Sequence, residues 1–336
     1  MKNLFVFGNG VDLAHGMKTT YQDFIESNKK EYQEKYGRFS DCDNLWNNIE
    51  DRHLKNIEEI SDEREYVDIY EQTNQILQDY GLDKYGEPQY YGGSIEIYNN
   101  SIMELQEETE MIMEFEKDFK KYLQNNYNDD MIKQIKAFEM IKKALQNEEN
   151  IIINFNYTHT LEIVYGCENV IHVHGNIDDE IIIGCGKVDD LKTEKIDDTD
   201  PKDIPCADKF DLQEKMIYFE EDGYANEMIY NLFYTVKNEV HEKEKEFYDE
   251  LEKRNKNNYK TRQSCIEKIK KEQFGSVYII GHSLGNADYE VFDAINRETP
   301  VICFYHDKED KNKKEIILEE MKFKYSLISD ECIYMN

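Results

Sequence analysis

Leu4-Phe5-Val6-Phe7-Gly8-Asn9-Gly10-Val11-Asp12 sets four large apolar residues ahead of a closely spaced glycine pair. An apolar run this short, stopped by turn formers, reads as a strand buried on both faces. Two further groups repeat the pattern. One is Ile151-Ile152-Ile153 closed by Asn154-Phe155-Asn156-Tyr157, followed by Val170–Gly175 and Ile181–Ile183. The other is Val277–Ile280 closed by Gly281, followed by Val301–Tyr305. Helical patterns lie between them, and strand–helix alternation predicts an α/β fold with a mainly parallel sheet.

The strands come from the start, middle and end of the chain. The spacing therefore predicts one discontinuous Rossmann-like α/β domain, with its core in 1–30, 148–186 and 275–336. Large acidic helical insertions are expected at about 31–147 and 187–274. In the first, Leu105, Ile112, Phe115, Phe119 and Leu123 form an i, i+3/i+4 stripe. A Gly- and Tyr-rich break falls at 80–93. In the second, the polar run 188–208 reads as a loop, and the Glu- and Lys-dense run 240–271 as solvated, protruding helices. Residues near 8–24, 154–175 and 281–288 should meet at the carboxyl edge of the sheet, where open α/β folds bind ligands.

The charge balance narrows the function classes. The 336 residues carry 41 basic and 72 acidic side chains, a formal charge of −31. Binding a phosphate backbone depends on Lys and Arg displacing counterions, so direct nucleic-acid binding is not expected. An anionic membrane surface is disfavoured for the same reason. The amino terminus offers no secretory signal pattern. The seven cysteines contain no C-x-x-C, so neither a zinc ribbon nor a redox motif is supported, and a cytoplasmic protein with reduced thiols is expected.

Four motifs carry chemistry. Gly8-Asn9-Gly10-Val11-Asp12 follows the first strand, where glycines allow close approach to a phosphate. Leu13 occupies the place of the third glycine of the dinucleotide fingerprint, so a plain strand–helix turn is an equal reading. After it, Asp23 and Phe24 are candidate pocket residues, while Thr19 or Thr20 is a candidate N-cap. Asn154-Phe155-Asn156-Tyr157 ends a buried strand; a side-chain amide there can orient a water or a ribose hydroxyl, or simply form a turn. His172-Val173-His174-Gly175 offers a two-imidazole face for a metal, a general base beside a ligand, or a structural histidine. No further ligand set supports a metal. Gly281-His282-Ser283-Leu284-Gly285 matches the nucleophile elbow of serine hydrolases, although His306 is the only later histidine and no separate strand delivers the acid.

Taken together, FGNGVDLAHGMKTTYQDF, NFNYTHTLE, HVHGN and IIGHSLGNAD resemble, in order and spacing, the bacteriophage abortive-infection family AbiH. The same skeleton is similar to sirtuin-like NAD-consuming domains. That resemblance implies a phosphate turn at Gly8 and Gly10, with Asn9 and Asp12 in place of the usual Ala and Ser. It implies a catalytic pair in Asn156 and His174, and a late ribose-touching turn at Gly281 and Ser283. Thr158 replaces the usual Asp of the second motif, Ile25 stands where deacylases commonly have Arg, and the four-cysteine zinc ribbon of protein deacylases is missing.

The expectation is an antiphage protein that binds NAD, as substrate or ligand, and hydrolyses it to nicotinamide and ADP-ribose. Asn156 and His174 would be catalytic. Gly8, Asn9, Gly10, Asp12, Thr20, Asp23, Phe24, Asn154, Tyr157, Gly281, Ser283 and Asp288 would bind the nucleotide, with no metal. A non-catalytic nucleotide-binding phage sensor and a serine hydrolase using Ser283 are the alternatives. A phage-derived trigger or partner protein and a homo-oligomer are compatible with such a role.

Overall fold

Alternation within each strand explains how the sheet is buried. In the computed structural model, β1 is Leu4–Phe7, β2 Ile151–Asn154, β3 Val170–His172, β4 Val277–Ile280, β5 Val301–Tyr305 and β6 Tyr325–Ser329. The structure describes residues 2–36, 94–147, 149–183 and 261–334, together with Ile49, Asn56, Asn238 and Lys245. Leu4, Val6, Ile151, Ile153, Val277, Ile279, Val301 and Cys303 belong to one apolar cluster. Phe5, Phe7, Ile152, Ile280 and Phe304 belong to another. Successive side chains point to opposite faces, so each strand feeds both. Val291, Phe292 and Leu318 complete the first cluster. Phe138, Ile141 and Leu161 complete the second.

Among the described residues, the six strands run in the order β3-β2-β1-β4-β5-β6. Every pairing is parallel. This is the doubly wound strand order whose direction reverses beside the first strand, here between β1 and β4. Register makes the carboxyl edge level, because Phe7 lies opposite both Asn154 and Ile280. Gly8, Phe155 and Gly281 therefore leave the sheet side by side.

Three expectations change. Ile181–Ile183 is buried but forms no strand. Its amides bond outside the sheet, Ile182 N–H to the His174 carbonyl and Ile183 N–H to Glu116. The end of the run expected to protrude does the opposite: residues 261–271 form a helix that places Cys265, Ile266 and Ile269 in the core. β6 is an addition. Its half-exposed alternation falls below the apolar density that marks the buried strands.

The expected stripe in the first insertion lies on helix Ser94–Asn126. Ile112, Phe115, Phe119 and Leu123 are fully buried with Phe24 and Tyr36 in a separate, largely aromatic cluster. The break at 80–93 and the loop at 188–208 lie outside the described residues. The chain divides into two compact units. The first, Met1–Leu54, Met111–Gly186 and Asn255–Asn336, holds the sheet. In the second, Lys55–Glu110 and Lys187–Arg254, the described residues include the start of the long helix, where Asn56 donates to Glu108.

Candidate functional site

A cavity of about 1140 Å³ opens over the carboxyl ends of the strands at the switch between β1 and β4. Its size suits a cofactor-sized ligand, and its place is where open α/β sheets bind one. Of the residues expected to bind or react, Gly8, Asn9, Gly10, Asp12, Thr20, Asn156, Tyr157, His174, Gly281, Ser283 and Asp288 line it.

The glycines let two turns pack closely. A Cβ on Gly8 would lie 2.6 Å from the His282 Cα, and one on Gly10 would lie 2.7 Å from the Gly281 Cα. The turn after β1 and the turn after β4 thus pack backbone against backbone. The Gly8 N–H donates to the Ile280 carbonyl at 3.0 Å and the Gly10 N–H to the Gly281 carbonyl at 2.8 Å. Neither amide is left to cradle a phosphate, so the glycines serve the close packing of two turns.

Asp23, Phe24 and Asn154 do not line the cavity. Thr20 and Asp23 form a reciprocal capping box on helix Tyr21–Ser27. This accounts for Asp23 and ties up the Thr20 hydroxyl. Phe24 is fully buried and packs edge-on against Phe115, ring centroids 5.1 Å apart. Asn154 is fully buried too, and its Oδ1 accepts the Asn156 N–H at 3.0 Å. It shapes the turn that presents Asn156.

His174 belongs to a buried polar cluster centred on Asp288. Its Nε2 meets Asp288 Oδ1 at 2.8 Å, and Arg262 Nη2 lies 3.7 Å from the same oxygen. His282 Nε2 is 3.3 Å from Asp288 Oδ2. The Leu284 N–H donates to His282 Nδ1 at 2.9 Å, so that nitrogen carries a lone pair and Nε2 holds the proton. Burial pushes the Asp288 carboxyl up, but its pairing with His174, and then with His282, holds it well below the usual carboxylate range. An ionised Asp288 fixes the His174 proton on Nε2. His174 Nδ1, buried in a residue of the cavity wall, has no hydrogen-bond partner among the described residues.

Two more acceptors on that wall share this condition, Asn156 Oδ1 and Asp12 Oδ1. The other Asp12 oxygen accepts from the Thr158 hydroxyl at 2.6 Å. Burial raises the Asp12 carboxyl to about 6, against the lowering effect of its Thr158 and Thr160 hydrogen bonds. Asn9 Oδ1 accepts from Thr19 at 2.6 Å, and the Tyr157 and Tyr21 hydroxyls meet at 3.0 Å.

The histidines of His172-Val173-His174 do not share a site. His172 turns to Glu162 and the Asn156 carbonyl, while His174 turns to Asp288. Among the described residues no group of three or more His, Cys, Asp or Glu is arranged to hold a metal.

Ser283 lines the cavity and is exposed. The positive-φ residues of its turn are Gly281 and Leu284, so Ser283 lacks the strained nucleophile geometry of an elbow. No hydrogen bond joins it to an imidazole among the described residues. The hydrolase reading loses its support.

Sequence reasoning missed His282, Arg262 and Lys314. His282 lay inside a quoted motif whose weight went to its serine. Arg262 sits in a Glu- and Lys-rich run that gives no signal. Lys314 is buried on the cavity wall, its ammonium bonded to the Phe304 carbonyl and Asp310 at 2.8 and 2.7 Å.

A family model described as bacteriophage abortive infection AbiH matches residues 4–318. No curated protein and no solved structure matches the chain. The family match spans nearly the whole sequence and contains every residue lining the cavity except Asp330, Glu331 and Tyr334. The chain belongs to the AbiH family, whose role is abortive-infection antiphage defence.

Proposed function

We propose that this AbiH-family protein binds NAD in the cavity over the β1/β4 switch and hydrolyses its N-glycosidic bond. The observation that carries this reading is His174: a buried imidazole with Nε2–H held by an ionised Asp288 and with Nδ1 on the cavity wall, unpartnered among the described residues. This is the base-and-orienter geometry of general base catalysis.

In the reaction, the C1′–N bond breaks and nicotinamide leaves neutral with the bonding pair. Water adds to C1′, and His174 Nδ1 takes its proton. The products are ADP-ribose, nicotinamide and one proton. Asn156 Oδ1 accepts from the attacking water or a ribose hydroxyl, which fixes its approach. Positive charge grows on the ribose as nicotinamide departs, and the buried Asp12 carboxylate favours it electrostatically. With the Gly8 and Gly10 amides engaged, Ser283 and the remaining N–H of Lys314 are donors this wall offers to phosphate oxygens. Loss of a shared cofactor would stop the host cell, and phage growth with it.

The test is nicotinamide release from NAD by wild type and His174→Ala, with melting followed on the same samples. Release by wild type and a loss of at least 100-fold in a folded variant are expected for removal of a general base. A melting shift with NAD but no release would replace the enzyme by a nucleotide-binding sensor. Neither release nor shift would remove NAD as the ligand.

A further inference from the structure

The segment after β2 must present Asn156 without help from the sheet ladder, and both of its backbone polar groups are held by side chains. The Asn156 N–H donates to Asn154 Oδ1 at 3.0 Å. Its carbonyl lies 3.0 Å from His172 Nδ1, and His172 Nε2 lies 2.7 Å from Glu162 Oε1. A carbonyl oxygen only accepts, so Nδ1 must carry hydrogen. An ionised carboxylate also only accepts, so Nε2 must carry one as well. A ring with both nitrogens protonated is an imidazolium, and its bond to Glu162 is charge-assisted.

We propose that His172, as an imidazolium clamped between Glu162 and the Asn156 carbonyl, is the positioning residue that fixes Asn156 in the cavity wall. The functional side rests on the reading that Asn156 works in that cavity; the clamp itself does not.

The surroundings fit a cation held in place. Glu162 comes from helix Thr160–Tyr165, which begins only four residues after Asn156, so clamp and clamped segment belong to one local unit. His159, just ahead of that helix, lies edge-on to His172 with ring centroids 5.8 Å apart. His159 Nδ1 is itself 3.6 Å from both Asp129 and Asp178. Asp12, on helix Gly10–Ala14, is close enough for the charge of His172 to lower its pKa and that of Glu162 to raise it. The His172–Glu162 pair therefore acts on two cavity residues. It holds the backbone of Asn156 by a hydrogen bond and biases the ionisation of Asp12 through the field.

The test uses the full chain. Ring-nitrogen NMR at pH 7 should show His172 with both nitrogens protonated, and Glu162→Gln should return it to a ring with one proton. A wild-type ring whose only proton is on Nε2 could not donate to Asn156 and would overturn the clamp. Amide hydrogen exchange separates positioning from simple packing. His172→Leu should speed exchange over 155–158 on the order of tenfold or more, the loss of one charge-assisted hydrogen bond. His172→Asn sets an amide N–H where Nδ1 stood and should keep exchange slow. Equal exchange in the two folded variants would overturn the positioning role. If His172→Leu does not fold, the ring spectra of wild type and Glu162→Gln still decide. Nicotinamide release should follow the same order, high in His172→Asn and low in His172→Leu. If NAD is not a substrate at all, the NMR and exchange results stand without it.

Discussion

Asp12 shows how much one residue can reveal. It is fully buried, one oxygen bonded to Thr158 and the other without a partner among the described residues. Burial raises its pKa from 3.8 to about 6. The ionised form is therefore less welcome in the folded protein than in the unfolded chain. Below pH 4 the carboxyl is protonated in both states and imposes no penalty. Between 4 and 6 the unfolded chain ionises first and stability falls; above 6 the penalty is complete, on the order of 3 kcal/mol. Urea unfolding of wild type and Asp12→Asn should show a gap that moves in the variant's favour by about that amount from pH 4 to 7. A gap that stays constant over this window would mean that Asp12 is already solvated or paired in the native state. A group retained at such a cost, facing a cavity, is better explained by a ligand than by packing. At this scale Asn156 and His174 were legible because polar residues that end buried strands must lie at the sheet's edge. Asp23 and Phe24 were not, since only the rotation of helix Tyr21–Ser27 decides between a cap, a core residue and a cavity wall.

At the scale of elements, two turns interlock. Gly8 and Gly10 follow β1, Gly281 follows β4, and register sets the turns side by side. Gly281 has φ +65°, and a Cβ there would stand 2.7 Å from the Val11 nitrogen. Gly8 is limited by the backbone of 281–282 rather than by its own φ. Backbone cannot move aside as a flexible side chain can. Gly8→Ala and Gly281→Ala should each destabilise by about 3 kcal/mol or more, through overpacking and, at Gly281, left-handed strain. Gly16→Ala is the control. Its φ is +78° but a Cβ there meets nothing within 4 Å among the described residues, so only the conformational cost of about 1–2 kcal/mol applies. Thermal melts of the three variants should separate them; equal losses would show that close packing adds nothing. The sequence marked these glycines as special but suggested a phosphate as the reason, because a close approach to backbone and one to a ligand demand the same residue. Apolar density located β1, β2, β4 and β5. It could not place β6, which is half-exposed, nor distinguish Ile181–Ile183, buried by packing instead of pairing.

At the scale of the whole molecule, strand order follows from chain order: β2 and β3 extend the sheet on one side of β1, and β4, β5 and β6 on the other. That split creates the cavity, and alternation of apolar runs with helical stretches was enough to foresee it. The excess of charge acts at this scale too. With 72 acidic and 41 basic side chains, like-charge pairs outnumber what ion pairing can neutralise, and compaction works against self-repulsion. Local pairs pull the other way. Lys35 and Asp118 meet at 2.8 Å on a partly exposed surface, where screening removes a modest attraction. The buried Arg262–Asp288 pair is screened much less. Salt should therefore weaken the repulsion more than the attractions. Shortening the Debye length from about 30 Å at 0.01 M to about 8 Å at 0.15 M ionic strength should raise the melting temperature, with most of the gain inside that range. Sodium chloride is the proper probe, because sulfate would strengthen apolar burial in its own right. A melting temperature that falls over this range would mean that surface ion pairs, rather than net charge, dominate the electrostatics of the fold.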